Sequence, residues 1–266
     1  MAEKLLFAHS VAEALAWKDA HAAYLAGGTE INRLHSSVEA ETLISLRFVE
    51  GLRALYREGE ILWLGAALTF QQAVEAAEVP EWFREACRMM ASRTKRNMAT
   101  LGGNIRLLRD DSYILPALMA DDALLVLAEG DGAERTVSLA EYRAARQSGL
   151  AADALIIQVG LRLDRRVFVK RYANTAMSHS VLNIALGTDA EGKRISIGIA
   201  AKNAGFFRPD ALARAIEETA AEDEAAMGAL TEKYDSVEFA DDMFGSAAYK
   251  RYLLGTTLAK LYALSR

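Results

Sequence analysis

Apolar and polar positions along the chain form two patterns: short unbroken apolar runs, and longer stretches with one apolar face. "SVAEALAWKDA" has helical spacing behind Ser10, a residue type that caps helix N-termini. "HAAYLAGG" reads as a short buried strand ending at Gly27-Gly28, and "ETLISLRFV" and "EILWLGAAL" are further apolar runs. Leu5–Phe7, Tyr24–Ala26 and Leu43–Leu46 predict a small βαβ-type sheet with a helix on it. "TFQQAVEAAE" predicts a helix capped by Thr69, with Pro80 just beyond. "EWFREACRMMAS" predicts a second helix, leading into "TKRNMATLGGN". "SYILPALMADDALLVLAEG" predicts a helix from about Leu115 and a strand over Leu124–Ala128. "AERTVSLAEYRAA" predicts a strand and then a helix capped by Ser138, and "ALIIQVGLRL" a further strand.

Past Arg165 the character changes. "VFVKRYANTAMSHSVLNIALGTDAEGKRISIGIAA" gives a long strand or helix–strand pattern, a turn at Asp189–Gly192 and another strand. From Ala211 the spacing is helical almost to the end. The fold class is therefore α+β. A first domain, 1–165, divides near 55 into a small βαβ-type sheet and a mixed or antiparallel sheet. A second domain, 166–266, is an antiparallel sheet backed by helices.

Composition narrows the function. The 266 residues are 52% hydrophobic and 25% charged, with a formal net charge of −5. This argues against a nucleic-acid binder that works by phosphate neutralisation, yet leaves room for anions held by backbone N–H groups. One cysteine, Cys87, excludes an internal disulfide and a cysteine-ligated iron–sulfur cluster in this chain. No leader and no apolar run of membrane-spanning length is read, so a cytoplasmic protein without membrane contact is expected. The four histidines, His9, His21, His35 and His179, lack zinc-site spacing, and no metal is expected. His179 between Ser178 and Ser180 has no apparent oriented acid partner, so no catalytic residue is assigned.

Two Gly-Gly pairs stand out, in "YLAGGTEIN" and "ATLGGNIRL". Taken alone, each reads first as an ordinary turn and second as a place where backbone approaches a ligand closely. Neither fits Gly-x-Gly-x-x-Gly, but two turns can converge on one pyrophosphate.

"YLAGGTEIN", "TKRNMATLGGNI", "ILPALMADDALLVL", "VKRYANTAMSHSVLNIAL", "ISIGIAAKNAGFFRPDALARAIE" and "GSAAYKRYLLGTTLAKLYA" occur in that order. Through them nearly the whole chain resembles the FAD-binding subunit of the molybdenum hydroxylases, the xanthine dehydrogenase and carbon monoxide dehydrogenase flavoproteins. The resemblance implies FAD, with its pyrophosphate between Tyr24, Leu25, Ala26, Gly27, Gly28, Thr29, Glu30 and Ile31 on one side and Thr100, Leu101, Gly102, Gly103 and Asn104 on the other. Arg96 and Asn97 match the family's Arg-Asn step. Met90 and Leu155 fall at flavin-lining positions, Met90 by its residue type more often core filler and Leu155 equally read as core, and Lys170 at a cation position near the ring. One departure is plain. Relatives carry Ser-Asp-Leu-x-Pro-Ala-Leu, with the aspartate toward the nucleotide's sugar; here Ser112 is kept and Tyr113 takes the aspartate's place. Asp110 and Asp111 are the nearest substitutes, and Arg106 and Arg109 either pair with them or face a partner.

By the same resemblance, electrons from a molybdopterin-binding subunit pass through an iron–sulfur subunit to the FAD held here, and on to NAD or another acceptor, within a hetero-oligomer. Two alternatives stand beside this reading: a flavin-free assembly module, and a stand-alone FAD-binding oxidoreductase.

Overall fold

The computed structural model describes residues 2–33, 36, 38–90, 92–130, 132–150, 153–219, 223–234 and 237–266. His35 therefore lies outside the described residues. The first elements are β1 (Lys4–Phe7), α1 (Val11–Ala16), β2 (Ala22–Leu25), β3 (Thr42–Ser45), β4 (Leu55–Glu58), β5 (Ile61–Gly65) and α2 (Phe70–Glu75). Next come α3 (Glu81–Arg88), α4 (Arg93–Met98), α5 (Leu101–Leu107), α6 (Ile114–Ala120), β6 (Leu124–Glu129), β7 (Ala133–Ser138), α7 (Leu139–Gln147) and β8 (Leu155–Arg162). The remainder is β9 (Arg165–Tyr172), β10 (Leu182–Asp189), β11 (Ile195–Ala201), β12 (Gly205–Phe207), α8 (Asp210–Thr219), α9 (Glu224–Tyr234) and α10 (Ala247–Ser265).

Local chemistry sets the helix starts. Ser10 Oγ accepts the Glu13 N–H at 3.1 Å. Thr69 with Gln72, and Ser138 with Glu141, form reciprocal capping boxes. One expectation fails. The second glycine pair is not a turn: Gly102 and Gly103 lie inside α5, which begins as Asn104 N–H donates to Thr100 O at 3.0 Å. The "RTKRNM" stretch before it is a short helix capped by Ser92.

The chain forms two compact units. One comprises Met1–Ala76, Ser92–Leu107 and Leu124–Leu161; the other comprises Ala77–Ala91, Leu108–Ala123 and Arg162–Arg266. The junction at Leu161/Arg162 lies beside the expected boundary, while 77–91 and 108–123 join the C-terminal region.

In the first unit, β1, β3 and β2 make a parallel three-stranded sheet in the order β1-β3-β2, the βαβ arrangement read from the spacing. A five-stranded sheet runs β4-β5-β8-β6-β7. Its central β8, "LIIQVGLR", is buried along most of its length, as its unbroken apolar run requires. Ile44, Leu46, Trp63, Val126, Leu155 and Ile157 belong to the core joining the two sheets.

In the second unit, β12-β11-β10-β9 form an antiparallel sheet, with β10 pairing both β9 and β11. β10 and β11 are buried on both faces, but the faces differ. Leu182, Ile184, Leu186, Ile195, Ile197 and Ile199 pack into the core with α8, α9 and α10. The opposite face carries Ala185, Gly187, Gly198 and Ala200, and against it lies the wholly buried α6. A Cβ on Gly187 would stand 1.9 Å from Ala120 O, and one on Gly198 2.1 Å from Pro116 O. The sheet meets the helix backbone directly.

Gly198→Ala is therefore expected to destabilise the protein by about 3 kcal/mol or more, since a main-chain contact cannot yield as a side-chain tip can. Urea unfolding of the variant against wild type measures this, with Gly228→Ala as control, where a Cβ meets nothing within 4 Å.

Candidate functional site

In the first unit the two glycine-bearing segments meet. A Cβ on Gly27 would lie 1.8 Å from Met98 O and 3.4 Å from Ala99 Cα, so only glycine permits this approach. Gly28 has φ +70°, which L side chains rarely adopt. Asn32 N–H donates to Gly28 O at 3.0 Å, so residues 28–32 form a turn rather than a helix. Among the described residues, the N–H groups of Gly27, Gly28 and Thr29 donate to no carbonyl.

The second segment is different, and the expectation that it supplies amide donors is corrected. Leu101 N–H donates to Leu68 O (2.9 Å), Gly102 N–H to Ala66 O (2.8 Å) and Asn104 N–H to Thr100 O. Gly103 N–H donates to Thr100 Oγ1 at 3.3 Å. Gly102 is glycine for packing: a Cβ there would stand 2.7 Å from Ala66 Cβ. Thr69 and Thr100 bridge as a short antiparallel pair, and Phe70 N–H donates to Ala99 O.

Other expected residues of this unit divide between roles. Arg96 Nε donates to Gln71 Oε1 at 2.9 Å; Gln71 donates to Glu75, which also accepts from Arg93, so Arg96 braces α4 against α2. Asn97 is exposed and Leu155 is core. Glu30 pairs with Arg33 at 3.4 Å. Burial, reinforced by Asp153 and partly offset by Arg106, pushes the Tyr24 phenol up to about 12.

In the second unit, Met90 is half-buried just beyond α3, and Lys170 is exposed on β9 with its ammonium 6.0 Å from the Tyr172 ring centre. Buried Ser112 is held through its carbonyl, which accepts from Asn183 Nδ2 at 2.9 Å. Tyr113 lies under the Arg171 guanidinium at 5.7 Å. Burial raises its phenol, with Asp111 adding and Arg171 opposing, so it is a neutral hydroxyl at physiological pH.

Neither nearby aspartate is free to take the missing carboxylate's place. Asp110 accepts from Lys202 Nζ (3.1 Å) and Asn203 N–H (2.9 Å). Asp111 is 5% exposed and accepts from Arg109 through both oxygens, at 2.8 and 3.0 Å. Of the pairings weighed for the two arginines, Arg109 thus pairs with Asp111. His179 Nδ1 sits 3.1 Å from Asp111 Oδ2, so the histidine does have an acid partner, one that spacing along the chain does not reveal. Ser178 Oγ is engaged by Thr175. Among the described residues no cluster of three metal-ligating side chains is present, and no described helix is long and apolar enough to cross a membrane.

With this geometry in hand, comparison with known proteins is decisive for residues 2–161, which match the family described as FAD binding domain in molybdopterin dehydrogenase. The chain belongs to that family. FAD is accordingly its cofactor. YgfM of Escherichia coli K12, an uncharacterized protein, is 30% identical over 269 residues, covering 99% of this chain and 96% of YgfM. Among solved structures, a chain of Cu,Mo-CO dehydrogenase matches with TM-score 0.85 at 21% identity, covering all of both chains. CO dehydrogenase from Hydrogenophaga pseudoflava gives TM-score 0.84 at 20% identity, over 98% of this chain and 96% of that one. Quinoline 2-oxidoreductase from Pseudomonas putida 86 gives 0.81 at 20%, over 99% and 96%. These likenesses establish the α+β fold expected from the sequence.

The first unit of this FAD-binding family member fits the group on one side. Three successive amides, of Gly27, Gly28 and Thr29, without carbonyl partners among the described residues suit a diphosphate. In the second segment Thr100 is buried and its Oγ1 accepts from Gly103 N–H, so this segment contributes no comparable run of open donors.

A pH dependence follows from Asp111. Burial raises its carboxyl, but the Arg109 hydrogen bonds and charge, with Lys202 and His179, outweigh this and hold it below the usual range. Its stabilisation is thus present above the unfolded-state value near 3.9 and lost as pH falls through the lower folded value. Asp111→Asn is expected to cost about 2–3 kcal/mol at pH 7 by urea unfolding, with the gap to wild type narrowing as pH falls below the ordinary carboxylate value.

Proposed function

We propose that this chain is the flavin-carrying electron-transfer subunit of a molybdopterin-dependent hydroxylase or dehydrogenase complex in the cytoplasm. It receives electrons from an iron–sulfur subunit, itself fed by a molybdopterin-binding subunit, and passes them to NAD or another acceptor. The observation that carries this is the Gly27–Thr29 amide run lying against the Met98–Ala99 backbone within an FAD-binding domain. Bound FAD supplies the ability to take electrons singly and release them as a pair. The protein's part is to bind and orient. Gly27, Gly28 and Thr29 donate N–H groups to the diphosphate, and the α5 start, with Thr100 and Asn104, walls it. The division into an FAD-binding domain, 1–165, and a C-terminal domain, 166–266, belongs to the same proposal, as do the roles that resemblance gives to Met90, Asn97, Ser112, Tyr113 and Lys170.

The likeness to chains of CO dehydrogenase and quinoline 2-oxidoreductase supports a complex of this kind. A second reading, a flavin-free assembly module, is favoured by one observation: Tyr113 is a buried neutral phenol, with Asp110 and Asp111 both engaged nearby.

The purified chain, incubated with FAD and desalted, is expected to be yellow with flavin absorbance bands, and to co-purify from its host with an iron–sulfur protein. Gly28→Ala places a Cβ in the left-handed region and 2.8 Å from Asn32 Nδ2, and is expected to weaken FAD binding about tenfold in a fluorescence titration. A folded wild-type protein that stays colourless in saturating FAD leaves the assembly reading in its place.

A further inference from the structure

The amides of Gly27–Thr29 are dipoles and carry no net charge. A diphosphate carries two negative charges, and this chain has a formal net charge of −5. The topology of the parallel sheet brings one cationic residue to the edge that carries the glycine turn. In the order β1-β3-β2, Leu25 of β2 pairs in register with Ser45 of β3, and Leu46 N–H adds one more bond to Leu25 O. Two residues past that pair, β2 reaches Gly27 and β3 reaches Arg47. Both follow the carboxyl ends of neighbouring parallel strands, the edge at which open α/β sheets bind ligands.

Arg47 is held for such a role. Its N–H lies 3.4 Å from Ser45 Oγ and its carbonyl accepts from Arg53 Nη1 at 2.7 Å, which fixes the backbone beneath the side chain. The guanidinium lies 5.8 Å from the Phe48 ring centre. That ring is braced by His9, stacked at 5.7 Å and 10° to it, and by Phe7 at 5.9 Å. Among the described residues no carboxylate pairs with Arg47, whereas Arg33 is paired with Glu30 and Arg96 donates to Gln71. The Arg47 side chain is exposed.

We propose that Arg47 is a binding residue for the FAD diphosphate, its guanidinium supplying the charge that the glycine-loop amides lack, with Phe48 as the surface on which it rests. This rests on the FAD-binding reading given above. Guanidinium–phosphate bonds are charge-assisted and stronger than those of neutral donors, so one such contact dominates the electrostatic part of the affinity.

The experiment is a fluorescence titration of the full chain with FAD across a salt series, for wild type, Arg47→Ala and Arg47→Lys, with apoprotein melting curves beside it. Arg47→Ala is expected to raise Kd about tenfold or more and to flatten its salt dependence, with the apoprotein melting temperature unchanged. Arg47→Lys keeps the charge and loses the planar fork, and is expected to fall between wild type and Arg47→Ala. An Arg47→Ala Kd within about twofold of wild type overturns the proposal, as does an Arg47→Lys loss equal to that of Arg47→Ala. In both of those cases wild type still binds FAD, so the cofactor reading stands. A wild type that takes up no FAD removes that reading, and the role of Arg47 with it.

Discussion

Main chain meets main chain where Gly27 lies against Met98 and Ala99, and the first unit is arranged around that approach. The residues just past Met98 are gripped from several directions. Phe70 N–H reaches Ala99 O, Leu101 and Gly102 donate to the carbonyls of Leu68 and Ala66, and Gly102 leaves no Cβ between α5 and Ala66. Every one of these contacts is made by backbone or by the absence of a side chain. The segment is therefore rigid before any ligand arrives, and its amides are already engaged. The Gly27–Thr29 turn differs: its carbonyl side is tied by Asn32, while its N–H side has no carbonyl partner among the described residues. In the proposed binding mode one segment is the wall and the other supplies the donors.

The second unit follows the same logic for another end. On β10 and β11, large residues face the helical layer and small ones face α6, so a helix sits directly on the sheet backbone. This fixes both ends of α6. At its start Ser112 is held by Asn183, and at its end Asp121 accepts the Arg162 N–H at 2.9 Å. Burial pushes the Asp121 carboxyl well above the usual range. Its neighbour Asp122 is held below that range by Arg208 and Arg165, which outweigh its own burial. Neighbouring carboxylates at one helix end thus differ in ionisation because only one of them meets guanidinium groups directly.

What the sequence makes legible follows the range of the interactions. Ser10, Thr69 and Ser138 are readable as caps because a cap is settled within three residues. β8 and the parallel sheet are readable because their apolar runs are unbroken. Gly102-Gly103 misleads because a glycine pair favours a turn locally, and the helix there is imposed by contact with Ala66 and Leu68, distant in sequence. The engagement of Asp111 by His179 and Lys202 joins three separate stretches of chain and leaves no local trace. The same holds for the interleaving of the two units, in which 77–91 and 108–123 leave the first unit and return to it. At the candidate site, the glycines are visible as residues; which of them donate and which only make room is a tertiary fact.

This division of labour accounts for how little side-chain identity the fold requires. Solved relatives superpose with TM-scores of 0.81 to 0.85 at 20–21% identity. An anion cradle made of amides demands a backbone path and the absence of Cβ atoms at a few places, and most neighbouring side chains satisfy both. Tyr113 shows the latitude. A buried neutral phenol stands where the resemblance calls for a carboxylate, and α6 begins beside it with its burial intact. Variation is thus free to fall on side chains beside these main-chain contacts, as at Tyr113. The main-chain approach at Gly27 has no such freedom, because a Cβ there would meet a carbonyl oxygen that nothing nearby can move aside.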